Sequence, residues 1–216
     1  ALRLIEQGWS LKALHREIML SAVYHLSSES VAANEQIDAD NQWLWRMPRR
    51  RLDIEAWRDS LLAVSGRLNR ELGGVSTRLT DPENDRRTVY AFISRHELDN
   101  MLRLFDFPDP NITSSTRSET TVPQQQLFVI NSPFMLRQAE ALADRLQLEA
   151  GESTEEQIRL AFRLAFGRDV SDQELQLGQA YLSSQDTAEQ QQGTRLSRLA
   201  RYAQVLLGSN EFMYVD

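Results

Sequence analysis

The sequence predicts an all-α protein, mainly a helical bundle, with a small β-hairpin or strand element in its first half. Apolar residues recur at three- and four-residue steps through most of the chain, as they do along one face of an amphipathic helix. Helix start signals, such as serine followed three residues later by glutamate, precede several of these stretches. Residues 87–93 instead alternate as a half-buried strand does. Together these three observations predict the fold class.

The composition is that of an ordinary globular protein, and it excludes several kinds of chemistry. Of the 216 residues, 41% are hydrophobic and 25% are charged, and the formal net charge is -7. An acidic chain has no general attraction for nucleic acid, so we expect no nucleic-acid partner. The absence of cysteine removes disulfides, cysteine-ligated zinc and covalent c-type haem attachment. We therefore predict no cofactor in this chain. No apolar run approaches 18 residues, so we also predict no membrane span.

The first half carries three predicted helices. Ser10 is a suitable N-cap for a helix from Leu11 to about Leu26. An apolar stripe with steps of three and four residues predicts a second helix over 54–68, and a short third helix is expected around 96–105.

The predicted strand and the loop after it complete the first half. Residues 87–93, RTVYAFI, are rich in β-branched and aromatic side chains, and 74–79 is the nearest segment that could pair with them as a hairpin. A long polar connection rich in Pro, Ser and Thr follows at 107–120, and such loops within a compact domain are usually either functional or mobile.

The second half is predicted to be helical throughout. Helix start signals occur at Ser132 and at three pairs with capping-box spacing, and Gly167 is a stop signal. The pairs are Thr121 with Gln124, Ser153 with Glu156, and Ser171 with Glu174. A Gln-rich internal loop at 183–193 leads to a last helix whose Leu196, Leu199, Ala203 and Leu206 are predicted to face inward.

Residues 1–216 are predicted to form a single helical domain. The opening residues ALRLIEQG resemble the tail of a helix that Gly8 ends. We interpret the chain as a C-terminal fragment of a larger multidomain protein.

Three consecutive arginines lie where a helix is about to begin, and they are the first candidates for a site: Arg49, Arg50 and Arg51. Cations are mildly unfavourable at a helix N-terminus, so negative groups elsewhere should compensate them. Guanidinium groups could line a pocket for carboxylate, sulfate or phosphate, or they could clamp an acidic loop. Along the helix, Arg51, Glu55 and Asp59 recur at four-residue steps and Arg58 lies three past Glu55, which predicts pairing within the polar face.

Three acidic residues of the long loop are the candidate counterparts of these arginines: Asp106, Asp109 and Glu119. Paired carboxylates could also transfer protons or hold a divalent cation. Their spacing matches no EF-hand loop, and the three histidines lack a metal-ligand spacing, so no metal site is predicted.

Trp43 and Trp45 precede the arginines and are interpreted as core or interface anchors. Stacking on a carbohydrate is an alternative that requires both indoles to be exposed.

Six blocks occur in one order and resemble the planctomycete C-terminal domain of unknown function (PSD type) of large exported proteins. They are GWSLKALHREIMLSAVY (8–24), WRMPRRRLDIEAWRDSLLAVSG (45–66), TVYAFISR (88–95), MLRLFDFPDP (101–110), TTVPQQQLFVINSPF (120–134) and AQVLLGSNEFMYVD (203–216). In the last block Gly208 stands where the resemblance leads us to expect asparagine.

The resemblance implies an exported, periplasmic or cell-surface setting. It also implies a parent protein with a companion domain of unknown function and, often, a cytochrome c-like haem domain. Some relatives carry sugar-binding-like modules and have sulfatases as genomic neighbours. The resemblance supplies no catalytic residues.

Three functions are therefore considered, with a non-enzymatic role preferred. The first is an accessory domain that packs on its companion domain, with Trp43, Trp45, the arginines and the loop from Asp106 to Glu119 as the contact surface. The second is a hydrolase acting on an anionic or sulfated polysaccharide. The third is a docking module for a haem electron-transfer domain.

Overall fold

A computed structural model of the chain describes residues 1–81, 83–184 and 196–215. The described residues cluster into two compact units. The N-terminal unit comprises Ala1–Arg50 together with Tyr214 and Val215, and the core unit comprises Arg51–Met213. The expectation of a single domain over 1–216 stays a prediction.

The N-terminal unit holds three short helices: α1 (Leu2–Glu6), α2 (Leu11–Met19) and α3 (Ala32–Ile37). As predicted, Ser10 caps α2, and its Oγ accepts a hydrogen bond from the Ala13 N–H at 3.2 Å. The helix ends earlier than the predicted Leu26. Ser21 Oγ donates to the Ile18 carbonyl at 2.7 Å and accepts from the Tyr24 N–H at 3.3 Å. This local side-chain bonding competes with the helix and replaces it with turns.

The core unit holds the longer helices. It begins with α4 and a 3₁₀ turn, and a run of helices follows to residue 213. They are α4 (Ile54–Val64), the 3₁₀ turn (Thr88–Tyr90), α5 (Asn100–Leu104), α6 (Pro123–Asn131), α7 (Pro133–Ala150), α8 (Thr154–Phe166), α9 (Asp172–Ser183), α10 (Arg198–Leu207) and α11 (Asn210–Met213).

The hydrophobic core lies where α7 packs against α10, with α8 and α9 alongside. The predicted inward residues of α10 are buried, and Leu142, Leu146 and Ala139 of α7 are completely buried. One polar contact crosses the core: Ser65 Oγ donates to Gln138 Oε1 at 2.7 Å, which satisfies both buried groups.

Two short strands form the small β element of the fold. β1 (Arg50–Arg51) and β2 (Tyr214–Val215) pair as a two-stranded sheet. The fold class predicted from the sequence, mainly helical with a small β element, is confirmed.

The segment predicted as a strand, 87–93, differs from the prediction. Thr88–Tyr90 form a 3₁₀ turn, and the hairpin with 74–79 is reduced to a single bridge between Thr77 and Ala91. Thr88 Oγ1 and the Thr88 N–H both donate to Asp59 Oδ1 at 2.7 Å. A threonine bonded to a helix side chain at this point cannot extend a sheet ladder, so tertiary contacts override β-propensity.

Helix caps in the second half follow the sequence with one shift. Ser132, Ser153 and Ser171 cap α7, α8 and α9 as predicted. The box at the start of α6 is displaced by one residue: the N-cap is Val122, whose N–H donates to Gln125 Oε1 at 3.4 Å. The displacement puts Pro123 at the first helical position, where its missing N–H costs nothing.

Of the predicted Gln-rich loop at 183–193, residues 185–193 lie outside the described residues. Ser183 ends α9 and Ser184 is its C-cap. Among the described helices, none combines the length and the apolar character that crossing a bilayer requires.

An ion-pair cluster around Arg168 connects α9 with α11. Arg168 contacts Glu174 Oε1 at 2.7 Å and Glu211 Oε1 at 2.6 Å. Hydrogen bonds from Arg168, opposed by partial burial and aided by Ser171, lower the pKa of Glu174 to about 2. A carboxylate whose pKa falls on folding stabilises the fold most above its unfolded pKa.

We predict that Glu174→Gln lowers stability at pH 7 and that this loss shrinks as the pH falls from about 4.5 to about 2, because the unfolded chain protonates first in that window. Urea midpoints of both proteins at pH 7, 4 and 3 measure the difference. Glu140→Gln is the control and should change little at any pH, because Glu140 is exposed on α7 and has no side-chain hydrogen bond or ion pair among the described residues. An equal loss at pH 7 and pH 3 would contradict the prediction.

A second prediction concerns Gly208, whose position leaves no room for a side chain. A Cβ there would lie 2.7 Å from Val129 Cγ1 and 3.2 Å from the Gln204 carbonyl oxygen. Asparagine, expected from the resemblance, would not fit this packing.

Gly208→Ala should therefore destabilise the chain by about 1–3 kcal/mol through overpacking. Val129→Ala in the same chain should recover part of that loss, because it removes the clashing methyl. A double-mutant cycle of urea unfolding free energies measures the coupling. Strictly additive effects would show that the clash is not the cause.

Candidate functional site

The side chain of Arg51 bonds to the long loop and not to the helix that follows it, α4. Arg51 lies in β1, before α4 begins at Ile54, and its side chain is 9% exposed. Its NH2 contacts Asp106 Oδ2 at 3.0 Å, and its NH1 donates to the Thr120 carbonyl. Such a charge-assisted contact in a nearly dry position is stronger than a surface pair.

Asp106 closes the loop on itself. Its Oδ2 accepts from the Thr120 N–H at 2.8 Å, and its Oδ1 accepts from Thr120 Oγ1 at 2.7 Å. Its backbone φ is 62°, a left-handed conformation that costs energy for a residue other than glycine. The bonds to Thr120 and Arg51 offset this cost and fix both ends of the loop.

Arg117 makes a second anchor for the same loop. Its NH1 and NH2 contact the two carboxylate oxygens of Glu55 on α4 at 2.6 and 2.7 Å, and its guanidinium lies 5.5 Å from the ring centroid of Phe107. Burial raises the pKa of Glu55, but the hydrogen bonds from Arg117 outweigh it, so the pKa lies below its ordinary value. Glu55 is therefore ionised at neutral pH.

Arg58 is a buried cation that organises the segment before the 3₁₀ turn. It is 1% exposed, and its guanidinium donates to the carbonyls of Asn84 and Arg86 and to Thr88 Oγ1. Burial lowers the pKa of Arg58, and Asp59 partly offsets this effect. Its role is structural, because both terminal nitrogens of its guanidinium donate to acceptors within the core unit.

These contacts correct the prediction that Arg51, Glu55 and Asp59 pair within one helix face. Arg51 and Glu55 both bond to the long loop, and Asp59 bonds to Thr88, because Arg51 precedes the helix and so leaves the four-residue register. The structural interpretation of the arginine run, a clamp on an acidic loop, applies to Arg51 and Asp106.

The remaining charged candidates are exposed. Asp109 Oδ1 accepts from the Asn111 N–H at 2.8 Å and shapes a local turn. Glu119 and Arg50 make no side-chain hydrogen bond or ion pair within the part of the chain that the structure describes. Arg49 is exposed, and it interacts with another group of the protein. The prediction that all these residues form one surface stays a prediction.

A cleft of about 420 Å³ opens beside the loop in the core unit. The residues that line it include Glu55, Asp59, Arg87, Thr88 and Phe107. Both carboxylates already hold partners, and the lowered pKa of Glu55 is opposite to what a general acid needs. Among the described residues no cluster of three His, Asp or Glu side chains could hold a metal ion. The cleft is suited to packing or recognition more than to proton transfer.

The N-terminal unit exposes a large apolar surface. Within residues 1–50, all of which the structure describes, the one buried residue is Ser28. Thirteen large apolar side chains there are 46–76% exposed, and we call them the apolar face. They are Leu2, Ile5, Trp9, Leu11, Ile18, Met19, Leu20, Val23, Tyr24, Val31, Ile37, Trp43 and Leu44.

A turn that is held by polar hydrogen bonds leaves Trp43, one residue of the apolar face, exposed. Asp38 accepts from the backbone N–H groups of Gln42 and Trp43, and the Asn41 side chain bridges to Arg46. Leu44 adopts a positive φ of 53°, which the turn must impose. As a result the indole of Trp43 is 76% exposed.

Trp45 has a different role from Trp43. It is half-buried, and its Nε1 donates to the Asp38 carbonyl at 2.8 Å. Only Trp43 of the two has the exposure expected of an interface anchor.

Sequence reasoning missed Thr120, Arg117 and the apolar face. An isolated arginine within a Ser/Thr-rich loop was a usable signal for Arg117. The apolar stripe of α2 was recognised, but Leu11 and Ile18 are exposed instead of covering a core.

The two neighbouring arginines give a matched test of the loop anchor. Arg51→Ala removes the bonds to Asp106 and Thr120, and charged hydrogen bonds of this kind are worth about 1.5–3 kcal/mol. We predict that hydrogen exchange of the Thr120 amide accelerates by about 10-fold or more.

Arg50→Ala removes the same charge from an exposed side chain and should leave Thr120 exchange unchanged. Equal acceleration in both variants would show a general charge effect and contradict the anchor.

Comparisons with known proteins identify a family and assign no chemistry to it. Neither the curated proteins nor the solved structures gave a match. A family model described as PSD1, protein of unknown function (DUF1553), matches residues 1–182. The closing block at 203–216 lies beyond that match. The chain therefore belongs to the PSD1 family of proteins of unknown function.

Proposed function

We propose that this chain is an accessory domain that docks through its apolar face onto a companion domain of the same parent protein. The parent is proposed to be exported to the periplasm or cell surface. The observation that carries the proposal is the division of burial: every buried apolar residue among the described ones lies between Ile54 and Met213, and none lies in residues 1–50.

The free energy gained by burial favours an apolar face that is covered by a partner. Full burial of a large apolar side chain stabilises a protein by about 1.5–3 kcal/mol. Burying the part of each of these side chains that is still exposed would therefore contribute about 1 kcal/mol. Thirteen such side chains amount to a gross gain on the order of 10 kcal/mol, comparable with the net stability of a whole domain. Contiguous exposed apolar patches larger than a few hundred Å² mark interaction sites.

The charges support docking over catalysis. The acids proposed for proton transfer are engaged in the loop: Asp106 bonds to Arg51 and Thr120, and Asp109 to Asn111. The hydrolase and the haem-docking alternatives stay predictions, and no contact among the described residues of the core unit favours either.

The absence of cysteine in this chain allows a direct test in the intact parent protein. Leu20→Cys places on the apolar face a thiol that is unique within residues 1–216, where Leu20 is 68% exposed, and a thiol-linked photoreactive group then captures its neighbours. The unsubstituted parent gives the background from any cysteine outside these residues. We expect adducts with peptides from outside residues 1–216, identified by mass spectrometry.

Leu148→Cys is the matched control, because Leu148 is 86% exposed on α7 of the core unit. It should give few such adducts. If both positions give adducts at the same low level, the apolar face is free in the parent and the proposal fails.

A further inference from the structure

We propose that the cleft beside α4 is a recognition site for an arginine side chain of a partner protein, and that Arg117 occupies its carboxylate as a built-in competitor. Glu55 and Phe107 line the cleft, and Arg117 contacts both of them. All three residues belong to the core unit, so the site is separate from the apolar face and does not rest on the proposed docking.

The contacts of Arg117 indicate which chemistry the site takes. Two different nitrogens of its guanidinium, NH1 and NH2, donate to the two carboxylate oxygens of Glu55 at 2.6 and 2.7 Å. The same planar group lies 5.5 Å from the ring centroid of Phe107. A carboxylate that accepts a fork of donors beside an aromatic ring is suited to guanidinium, whereas the ammonium of lysine is a point charge without this fork.

The loop that carries Arg117 is attached firmly at its neck and weakly at its tip. At the neck, Arg51 and Asp106 form an ion pair whose side chains are 9% and 13% exposed. At the tip, the side chains of Arg117 and Glu55 are 35% and 28% exposed. Residues 112–119 are all exposed, and within the described part of the chain Arg117 alone among them bonds to a residue outside the loop. The tip can therefore release Glu55 while the neck stays closed.

The weak attachment leaves an appreciable share of molecules open. A partly exposed ion pair with both donors aligned favours the closed loop by about a factor of five, so about one molecule in six is open. A ligand that binds only the open form has its apparent affinity reduced in proportion to that fraction, here about 6-fold. Arg117 thus lowers the affinity of the site without blocking it.

The charges around the cleft are complementary to a cation. Asp53 Oδ1 lies 3.7 Å from Arg117 NH1. Asp59 Oδ2 lies 3.6 Å from Arg87 Nε, which is too long for a hydrogen bond. When Arg117 moves away, the carboxylates of Asp53, Glu55 and Asp59 face the guanidinium of Arg87, and negative charge is in excess. A second guanidinium restores the balance.

The walls of the cleft suit the aliphatic part of an arginine in a peptide chain. Val89 and Ile93 line it and are 69% and 40% exposed. The methylene groups of an arginine pack on such apolar surface while the guanidinium stays at the carboxylate. Asp59 Oδ2 makes no hydrogen bond among the described residues, so it offers an acceptor to a backbone N–H of the same peptide. These contacts favour a protein segment over a free guanidinium ion.

The test is an NMR titration of the full chain with the peptide acetyl-Gly-Arg-Gly-amide, followed through the methyl signals of Ile93. In Arg117→Ala the competitor is absent, so we expect the peptide to bind about 5-fold more tightly than to the unsubstituted chain. Arg163→Ala, which removes an exposed arginine from α8, is the matched control and should keep the affinity within about 2-fold.

Two further measurements separate recognition from general charge and from loss of folding. Glu55→Gln added to Arg117→Ala should weaken arginine-peptide binding by at least about 10-fold, because the charged hydrogen bonds are lost. The peptide acetyl-Gly-Lys-Gly-amide should bind Arg117→Ala at least about 5-fold more weakly than the arginine peptide. Exchange of the Thr120 amide should be the same in all variants, which shows that the neck of the loop is intact.

Several results would overturn the inference. Unchanged or weaker binding to Arg117→Ala would show that Arg117 is no competitor, and equal binding of the lysine peptide would show a general charge effect. Retained binding after Glu55→Gln would place the peptide elsewhere on the protein. If guanidinium ion alone binds as tightly as the arginine peptide, the site takes a small guanidinium compound and not a partner protein.

Discussion

Apolar surface that a chain segment does not bury in its own fold must be buried elsewhere if that segment is to stay ordered. In this protein the buried apolar residues begin at Ile54, whereas the first 50 residues form short helices with almost no core. Helices of five to nine residues are not stable on their own in water. In the proposed function, the N-terminal unit gains these apolar contacts by docking within its parent protein.

In the core unit, the long loop is ordered and the cations are compensated by contacts within the unit itself. A long loop that would otherwise be costly to order is fixed at both ends by Asp106, and again by Arg117 on Glu55. The cations near α4 are compensated in two ways: Arg51 by a carboxylate and a carbonyl, and Arg58 by two backbone carbonyls and the Thr88 hydroxyl. The same contacts that order the loop occupy its acids, which is why the geometry favours a structural and recognition role for this region.

The sequence predicted what depends on local periodicity and capping. The inward face of α10 and the serine caps of α7, α8 and α9 follow from patterns a few residues long. The 3₁₀ turn at Thr88 was missed because Asp59, 29 residues away, takes its backbone N–H. The partner of Arg51 could be guessed only as a class, since the chain offered three loop acids and the left-handed turn at Asp106 selects one. The exposure of the α2 stripe was not predictable, because periodicity shows that a face is apolar and not what covers it.

The central claim is that residues 1–50 acquire their order by docking within a larger protein. Hydrogen exchange of the α1 and α2 amides tests it most directly, measured in the intact parent and in the excised chain 1–216 under the same conditions. The account predicts that these amides exchange at least about 10-fold more slowly in the parent, while the amides of α7 and α10 exchange at similar rates in both. Equal exchange of α1 and α2 in the two proteins would contradict it.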